Sequence, residues 1–266
     1  QLEGFVITMK QHGPWALIAG GSEGVGASFA HKLARIGMNL MLVARRSEPL
    51  ETLAQNVRAR SQAEVRTLSL DLKRSDALER VREVTDDIEI GLLIFNAGDL
   101  GSAMGSFIDR NLEDVLAAVR VTVIGQTTLA HHFGARMAAR GRGGIILIGS
   151  LSGNAGVPNQ ATYCAAKAYS QIFAEALWCE LKPRGIDVLS VVLGITDTPA
   201  RARAGLPDVP GAHVFTADDI AQHALDNLVD GGPVYVPPPL AELFQLFSSS
   251  PRRQIAELMS GAAGTS

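Results

Sequence analysis

The chain has 266 residues, 47% hydrophobic and 19% charged, enough to bury a sizeable core. A net charge of −3 and 5% aromatics supply neither the basic stripe nor the stacking platforms of a nucleic-acid binder, nor an acidic tail for a charged partner. No apolar run approaches the roughly 18 residues of a membrane span. The start, QLEGFVITMK, lacks the basic head and long apolar run of a signal peptide, so a soluble cytoplasmic protein is expected.

In chain order, short apolar runs alternate with longer segments of helical period. A strand at 15–19 leads into a helix at 24–36, and a strand at 39–44 into a helix at 49–60. The pairs continue as 64–70 with 76–85, 90–95 with 112–139, and 144–150 with 161–181. A strand at 186–193, a helix at 217–229 and a short strand at 233–236 complete the pattern. IILI and LLIF are apolar at successive residues, as in strands buried on both faces of a parallel sheet. The alternation predicts a doubly wound α/β fold, with a mainly parallel seven-stranded sheet and helices on both faces. No linker or repeat divides residues 1–266, so a single domain is expected. Residues 197–215, DTPARARAGLPDVPGAHVF, have no regular period and read as a lid. A C-terminal segment follows from about 240 to 266.

Cys164 and Cys179 fall on one predicted helix, about 22 Å apart. That exceeds disulfide reach and predicts free thiols, which suits a reducing compartment. The six histidines are scattered, and His131 and His132 point different ways on a helix, so no metal site is expected.

The turn after the first strand reads Gly20-Gly21-Ser22-Glu23-Gly24-Val25-Gly26 and opens a helix. Glycines there let backbone approach a pyrophosphate, and the helix N-terminus presents free N–H groups. The spacing is G-x-x-x-G-x-G rather than G-x-G-x-x-G; glycines packed in a tight turn are the alternative, but the flanking strand and helix favour the nucleotide reading. After the second strand stand Arg45 and Arg46, with no carboxylate to take a ribose diol. Two guanidiniums suit a 2′-phosphate, which favours NADP over NAD, although such a pair also suits plain solvent exposure. Glu23 is a counter-signal, because its charge falls near the same phosphate. Asp71, after the third strand, contacts adenine or caps the next turn.

Ser150 ends the fifth strand, and YCAAK, residues 163–167, opens the next helix. Alone, Tyr163 and Lys167 at i and i+4 are neighbours on any helix. At the strand ends of an open α/β sheet they can face a nucleotide. An ammonium near a phenol stabilises the phenolate, lowers its pKa and fits it for acid–base work. Ser150 can donate a hydrogen bond to a substrate carbonyl.

With AGGSEGVG at 19–26, FNAG at 95–98, Ser150 with YCAAK, and LGITDT at 193–198 in this order, the sequence resembles the short-chain dehydrogenase/reductase family over about residues 14–236. The resemblance implies a Rossmann-type fold and a nicotinamide cofactor. It implies that Tyr163 is the general acid in reduction and the base in oxidation, and that Lys167 lowers its pKa and holds the nicotinamide ribose. It also implies that Ser150 orients the carbonyl or alcohol, Asn96 supports the cofactor loop and Thr198 meets the carboxamide. Leu72, Ala97, Gly98, Gly194 and Thr196 join the expected cofactor-binding set. Ala19 stands where the family usually has Thr, Phe95 where it has Asn, and Leu193 where it has Pro. More seriously, Thr122 in VRVTVIGQ replaces an Asn that the family uses to hold a proton-relay water.

The expected activity is hydride transfer between NADP(H) and the carbonyl or alcohol carbon of a small molecule. The alternative is a dinucleotide-binding sensor or scaffold with impaired catalysis. A hydrolase lacks the Gly-x-Ser-x-Gly elbow, and a Rossmann-like methyltransferase leaves YCAAK unexplained. Leu100, Leu151, Val157, Leu193, Ile195, Leu206 and Val209 suggest an apolar pocket or, equally, lid packing; with the range of the family it resembles, they point to a lipophilic, steroid- or acyl-like substrate. Val115, Leu116, Val119, Val123, Ile172, Phe173, Leu177 and Trp178 are more apolar residues than one sheet face needs. With the family's habit of pairing through these helices, they predict a homodimer or homotetramer.

Overall fold

The computed structural model describes residues 11–98, 104–206 and 209–263. In chain order the strands are β1 (Trp15–Ala19), β2 (Asn39–Ala44), β3 (Val65–Ser69), β4 (Ile90–Phe95), β5 (Gly143–Ile148), β6 (Ile186–Val191), β7 (Ile195–Asp197), β8 (Val214–Thr216) and β9 (Val234–Tyr235). Seven of them form one parallel sheet in the order β3-β2-β1-β4-β5-β6-β9. The chain winds outward from β1 to β3, crosses over, and winds outward again from β4. The reversal opens a crevice at the carboxyl ends of β1 and β4, where such sheets bind ligands.

The helices are α1 (Gly24–Arg35), α2 (Ser47–Arg60), α3 (Ala77–Thr85), α4 (Leu112–Ala118), α5 (Gln126–Arg140), α6 (Ala161–Leu181), α7 (Pro199–Arg203), α8 (Ala217–Asn227), α9 (Ala241–Ser249) and α10 (Arg252–Ala263). Side chains alternate across each strand. On one face Ile18, Leu42 and Ile146 pack against Phe29 of α1, Leu50 of α2 and Ile220 of α8. On the other, Leu17, Met41 and Leu147 meet Val81 of α3, Phe133 of α5 and Ala174 of α6. Both faces are covered, which is why the strands read as unbroken apolar runs. Phe29 and Phe133 are fully buried, each contributing about 1.5–3 kcal/mol by leaving water.

The helical pattern at 112–139 is not one regular helix. A π-helical stretch, Val119–Gly125, joins α4 to α5 and carries Thr122. The segment expected to be a lid has more order than its Pro and Gly content suggests. β7 and β8 pair in parallel, Ile195 with Val214 through Asp197 with Thr216, and α7 follows Thr198, whose hydroxyl caps it by accepting from Arg201 N at 3.2 Å. The C-terminal segment forms α9 and α10, which pack Phe247 and Ile255 against Ala155.

Several apolar residues expected to face another subunit are used within the chain. Val115 is buried, and Phe173, Leu177 and Trp178 pack on the sheet core. Leu116, Val119 and Val123 are half-buried and only Ile172 of that set is exposed; Leu112 and Ile124, which were not among those expected, are exposed as well.

Candidate active site

The glycine turn runs from β1 to α1 over the ends of β2 and β4. Gly20 and Gly21 donate to Val43 O at 2.8 and 3.2 Å. Gly20 has φ +84, and a Cβ there would lie 2.7 Å from Ala97 N. A Cβ on Gly26 would lie 2.1 Å from Gly20 O. The missing Cβ atoms at Gly20 and Gly26 thus let α1 approach the strands closely. Asn96 closes the far wall, its backbone N donating to Ala19 O at 2.9 Å and its Nδ2 to Gly20 O at 2.8 Å. Ser22 and Glu23 precede α1, Val25 is buried within it, and Gly98 lies exposed at the crevice. The cradle, the free N-terminus of α1 and the Arg46 guanidinium fit a dinucleotide with phosphate groups.

Asp71 accepts from Lys73 N at 3.0 Å, the turn-capping arrangement; Leu72 beside it is buried. Arg46 donates to Glu23, while Arg45 offers its carbonyl to Ser69 Oγ at 3.2 Å. Gly194 lies under Leu240, its absent Cβ 2.8 Å from Leu240 Cδ2. Thr196 is buried, with Oγ1 donating to Gly194 O at 3.2 Å.

Ser150, Tyr163 and Lys167 gather where β5 ends and α6 begins. Ser150 is buried and caps the short turn Leu151–Gly153, accepting from Ser152 N at 3.2 Å. Tyr163 is half-buried. Burial pushes its phenol above the ordinary value, against a hydrogen bond with Ser150 that acts the other way. The buried Lys167 donates to Ile148 O at 2.6 Å. Burial lowers it to about 8, and its Nζ sits 5.9 Å from the Tyr163 ring centroid. The expected depression of the Tyr163 pKa by Lys167 is therefore not what this geometry gives. The phenol is held protonated, in the form that donates a proton. Thr122 is buried on the π-helical stretch, which packs against α6.

Gln171 was not singled out from the sequence. Its Nε2 donates to Ser150 O at 2.8 Å and to Asn154 Oδ1 at 3.0 Å. Arg252 of α10 donates to Asn154 O at 2.8 Å, so the C-terminal helices reach the Ser150 loop. The sequence carries a signal for Gln171: it stands at i+8 from Tyr163 and i+4 from Lys167, a polar residue on the same helix face. Among the residues expected to line an apolar pocket, Leu151 and Leu193 are partly buried and pack on the core. Val157, Ile195 and Leu206 are half-buried and Val209 is exposed, while Leu100 lies outside the described residues. Among those described, no cluster of His, Cys, Asp or Glu has the makings of a metal site, and no helix is long and apolar enough to cross a membrane. Cys164 and Cys179 are free thiols.

The sequence matches the short chain dehydrogenase family over residues 14–207. It is 35% identical over 190 residues to a 7beta-hydroxysteroid dehydrogenase of Clostridium sardiniense, covering 71% of this chain and 72% of that one. It is 31% identical over 229 residues to a very-long-chain 3-oxoacyl-CoA reductase of Podospora anserina, covering 85% and 67%. A short-chain dehydrogenase from Sphingobium yanoikuyae, solved in complex with NADPH, superposes with a TM-score of 0.77 at 33% identity, over 92% of this chain and 99% of that one. Fold, motif order and these relatives agree, and the chain belongs to the short-chain dehydrogenase family of oxidoreductases acting on CH–OH/C=O groups.

Proposed function

We propose that the protein is an NADP(H)-dependent reductase or dehydrogenase of a lipophilic ketone or alcohol, with Tyr163 as the general acid and base. The observation that carries this reading is the gathering of Tyr163, its hydroxyl hydrogen-bonded to Ser150, and the buried Lys167 where β5 ends and α6 begins. When bound, the nicotinamide supplies or accepts the hydride. The glycine turn, Asn96, Thr198 and Lys167 would hold the cofactor, and Arg46 would meet the 2′-phosphate. In reduction, Tyr163 Oη gives its proton to the substrate carbonyl oxygen as negative charge develops there. Ser150 Oγ steadies the same oxygen by donating a hydrogen bond. In oxidation the phenolate form of Tyr163 takes the hydroxyl proton of the alcohol as the hydride leaves its carbon.

The lipophilic substrate class rests on the partly buried Leu151 and Leu193 and on relatives named for hydroxysteroids and very-long-chain 3-oxoacyl-CoA. The NADPH in the Sphingobium structure and the guanidinium after β2 favour NADP. The exposed Leu112, Ile124 and Ile172 support a homo-oligomer, and the free thiols suit a reducing, cytoplasmic setting. A single domain with a lid between β7 and β8 is the arrangement this reading uses.

The test is turnover with NADPH and NADH on hydroxysteroids, 3-oxoacyl thioesters and bulky ketones, with cofactor binding measured separately. NADPH-dependent reduction of at least one class is expected. NADPH binding with no turnover on any class would instead favour the sensor or scaffold reading that Thr122 raises.

A further inference from the structure

Glu23 stands immediately before α1, and its carboxylate is gripped by arginines from two distant segments. Arg46, after β2, donates from Nη2 to Oε2 at 2.5 Å. Arg203, the last residue of α7 in the lid, donates from Nη1 to Oε2 at 3.0 Å and from Nη2 to Oε1. Burial works against the Glu23 charge, but the hydrogen bonds from Arg203 and then Arg46 outweigh it and hold the carboxyl below its ordinary range. The lid meets the glycine turn at a second point, since a Cβ on Gly24 would lie 3.2 Å from Thr198 Cγ2. One carboxylate thus ties the lid to the turn expected to bind the cofactor.

The charge balance has a consequence for cofactor choice. An unmasked Glu23 beside a 2′-phosphate would repel that dianion. Arg203 engages both carboxylate oxygens, the fork geometry natural to a guanidinium, whereas Arg46 makes a single contact. Arg46 is therefore the one able to turn away while Glu23 stays neutralised.

We propose that Arg203 is a specificity-determining residue for the phosphorylated cofactor: lid closure sets Arg203 on Glu23, masks the carboxylate and releases Arg46 to the 2′-phosphate. The proposal rests on the NADP reading above. The coupling is reciprocal. A phosphate that draws Arg46 away leaves Glu23 dependent on Arg203, and so favours the closed lid. A cofactor without the phosphate makes no such demand.

The test is a double-mutant cycle on binding, which needs no substrate. Dissociation constants for NADPH, NADH and adenosine 2′,5′-bisphosphate would be measured for the wild type, Arg203→Met, Glu23→Gln and the pair. Arg203→Met should weaken NADPH and the bisphosphate by at least about fivefold and NADH by less than about twofold. In the Glu23→Gln background the effect on NADPH should fall below about twofold, because no carboxylate is left to mask. Equal weakening of both cofactors, or an undiminished loss in the Glu23→Gln background, overturns the proposal. Wild-type protein that fails to bind the bisphosphate overturns the NADP reading and this proposal with it. Bisphosphate binding with a flat cycle overturns this proposal alone. The lid is read separately. The bisphosphate should slow tryptic cleavage after Arg201 and Arg203 more than 5′-AMP does at equal saturation; equal protection refutes the coupling.

Discussion

The Lys167 ammonium donates to the carbonyl oxygen of Ile148 at 2.6 Å, tying the helix that carries Tyr163 to the last residue of β5. Burial holds this lysine at about 8, below its unfolded value near 10.4. Below pH 8 the charge is present in both states and the burial penalty acts in full. As pH rises from 8 to about 10.4, only the unfolded state still binds the proton, so this group's contribution to stability increases. The change is on the order of 3 kcal/mol. Denaturant midpoints from pH 7 to 10 should therefore rise in the wild type relative to Lys167→Met. Parallel curves would show that Lys167 is not desolvated in solution.

Tyr163→Phe removes the proton donor and keeps the ring. Turnover should fall by about 10²–10⁴, with NADPH affinity within about twofold of wild type. Near-normal turnover would remove Tyr163 from the acid–base role.

Thr122 is buried on the π-helical stretch; such stretches within helices are frequent at functional sites. Thr122→Val keeps the shape and deletes the hydroxyl. It should lower turnover more than cofactor binding, whereas Thr122→Asn should stay within about tenfold of wild type. Wild-type kinetics for Thr122→Val across pH would leave Thr122 as packing alone.

Gly26→Ala places a methyl 2.1 Å from Gly20 O, a contact that only a backbone shift relieves. Nucleotide binding should weaken by at least about tenfold, about 1.4 kcal/mol, with the far-ultraviolet circular dichroism retained. Unaltered binding would mean that the turn does not hold the cofactor.

Far from the crevice, Asp187 accepts from the buried His12 at 2.9 Å and from Lys182 at 2.7 Å. Burial opposes its charge, but these bonds hold the carboxyl below its ordinary value. Its stabilising contribution is therefore complete above the unfolded value near 3.9 and lost as pH falls through the lower folded one. Asp187→Ala should cost about 3 kcal/mol, the lower end for breaking a buried pair. A loss below about 0.5 kcal/mol in urea unfolding at pH 7 would refute the staple.

The sheet was legible because burial on both faces writes itself as consecutive apolar residues such as Ile145–Ile148. The positions of Ser150, Tyr163 and Lys167 followed from their places at a strand end and a helix start. The π-helical stretch was not legible, since Val119–Gly125 keeps the composition of the helices beside it. Nor were α7 and the β7–β8 pair, whose short elements carry too few residues for a period. Glu23 was seen only as a charge opposed to a phosphate. Its pairing with Arg203 joins residues 180 positions apart, and only the folded chain reveals that.

The parallel register of β7 against β8, Ile195 with Val214 and Asp197 with Thr216, pins the two ends of the intervening segment on adjacent strands, diagonally across the short ladder. Its ends are thus fixed independently of what lies between. For a flexible insert, doubling the length adds only about 0.6 kcal/mol of closure entropy. Segments of different length can therefore be spliced between Arg203 and Val214, beyond the contacts that Thr198 and Arg203 make with the glycine turn, while the sheet stays as it is. The fold thus carries an exchangeable cassette beside a constant sheet.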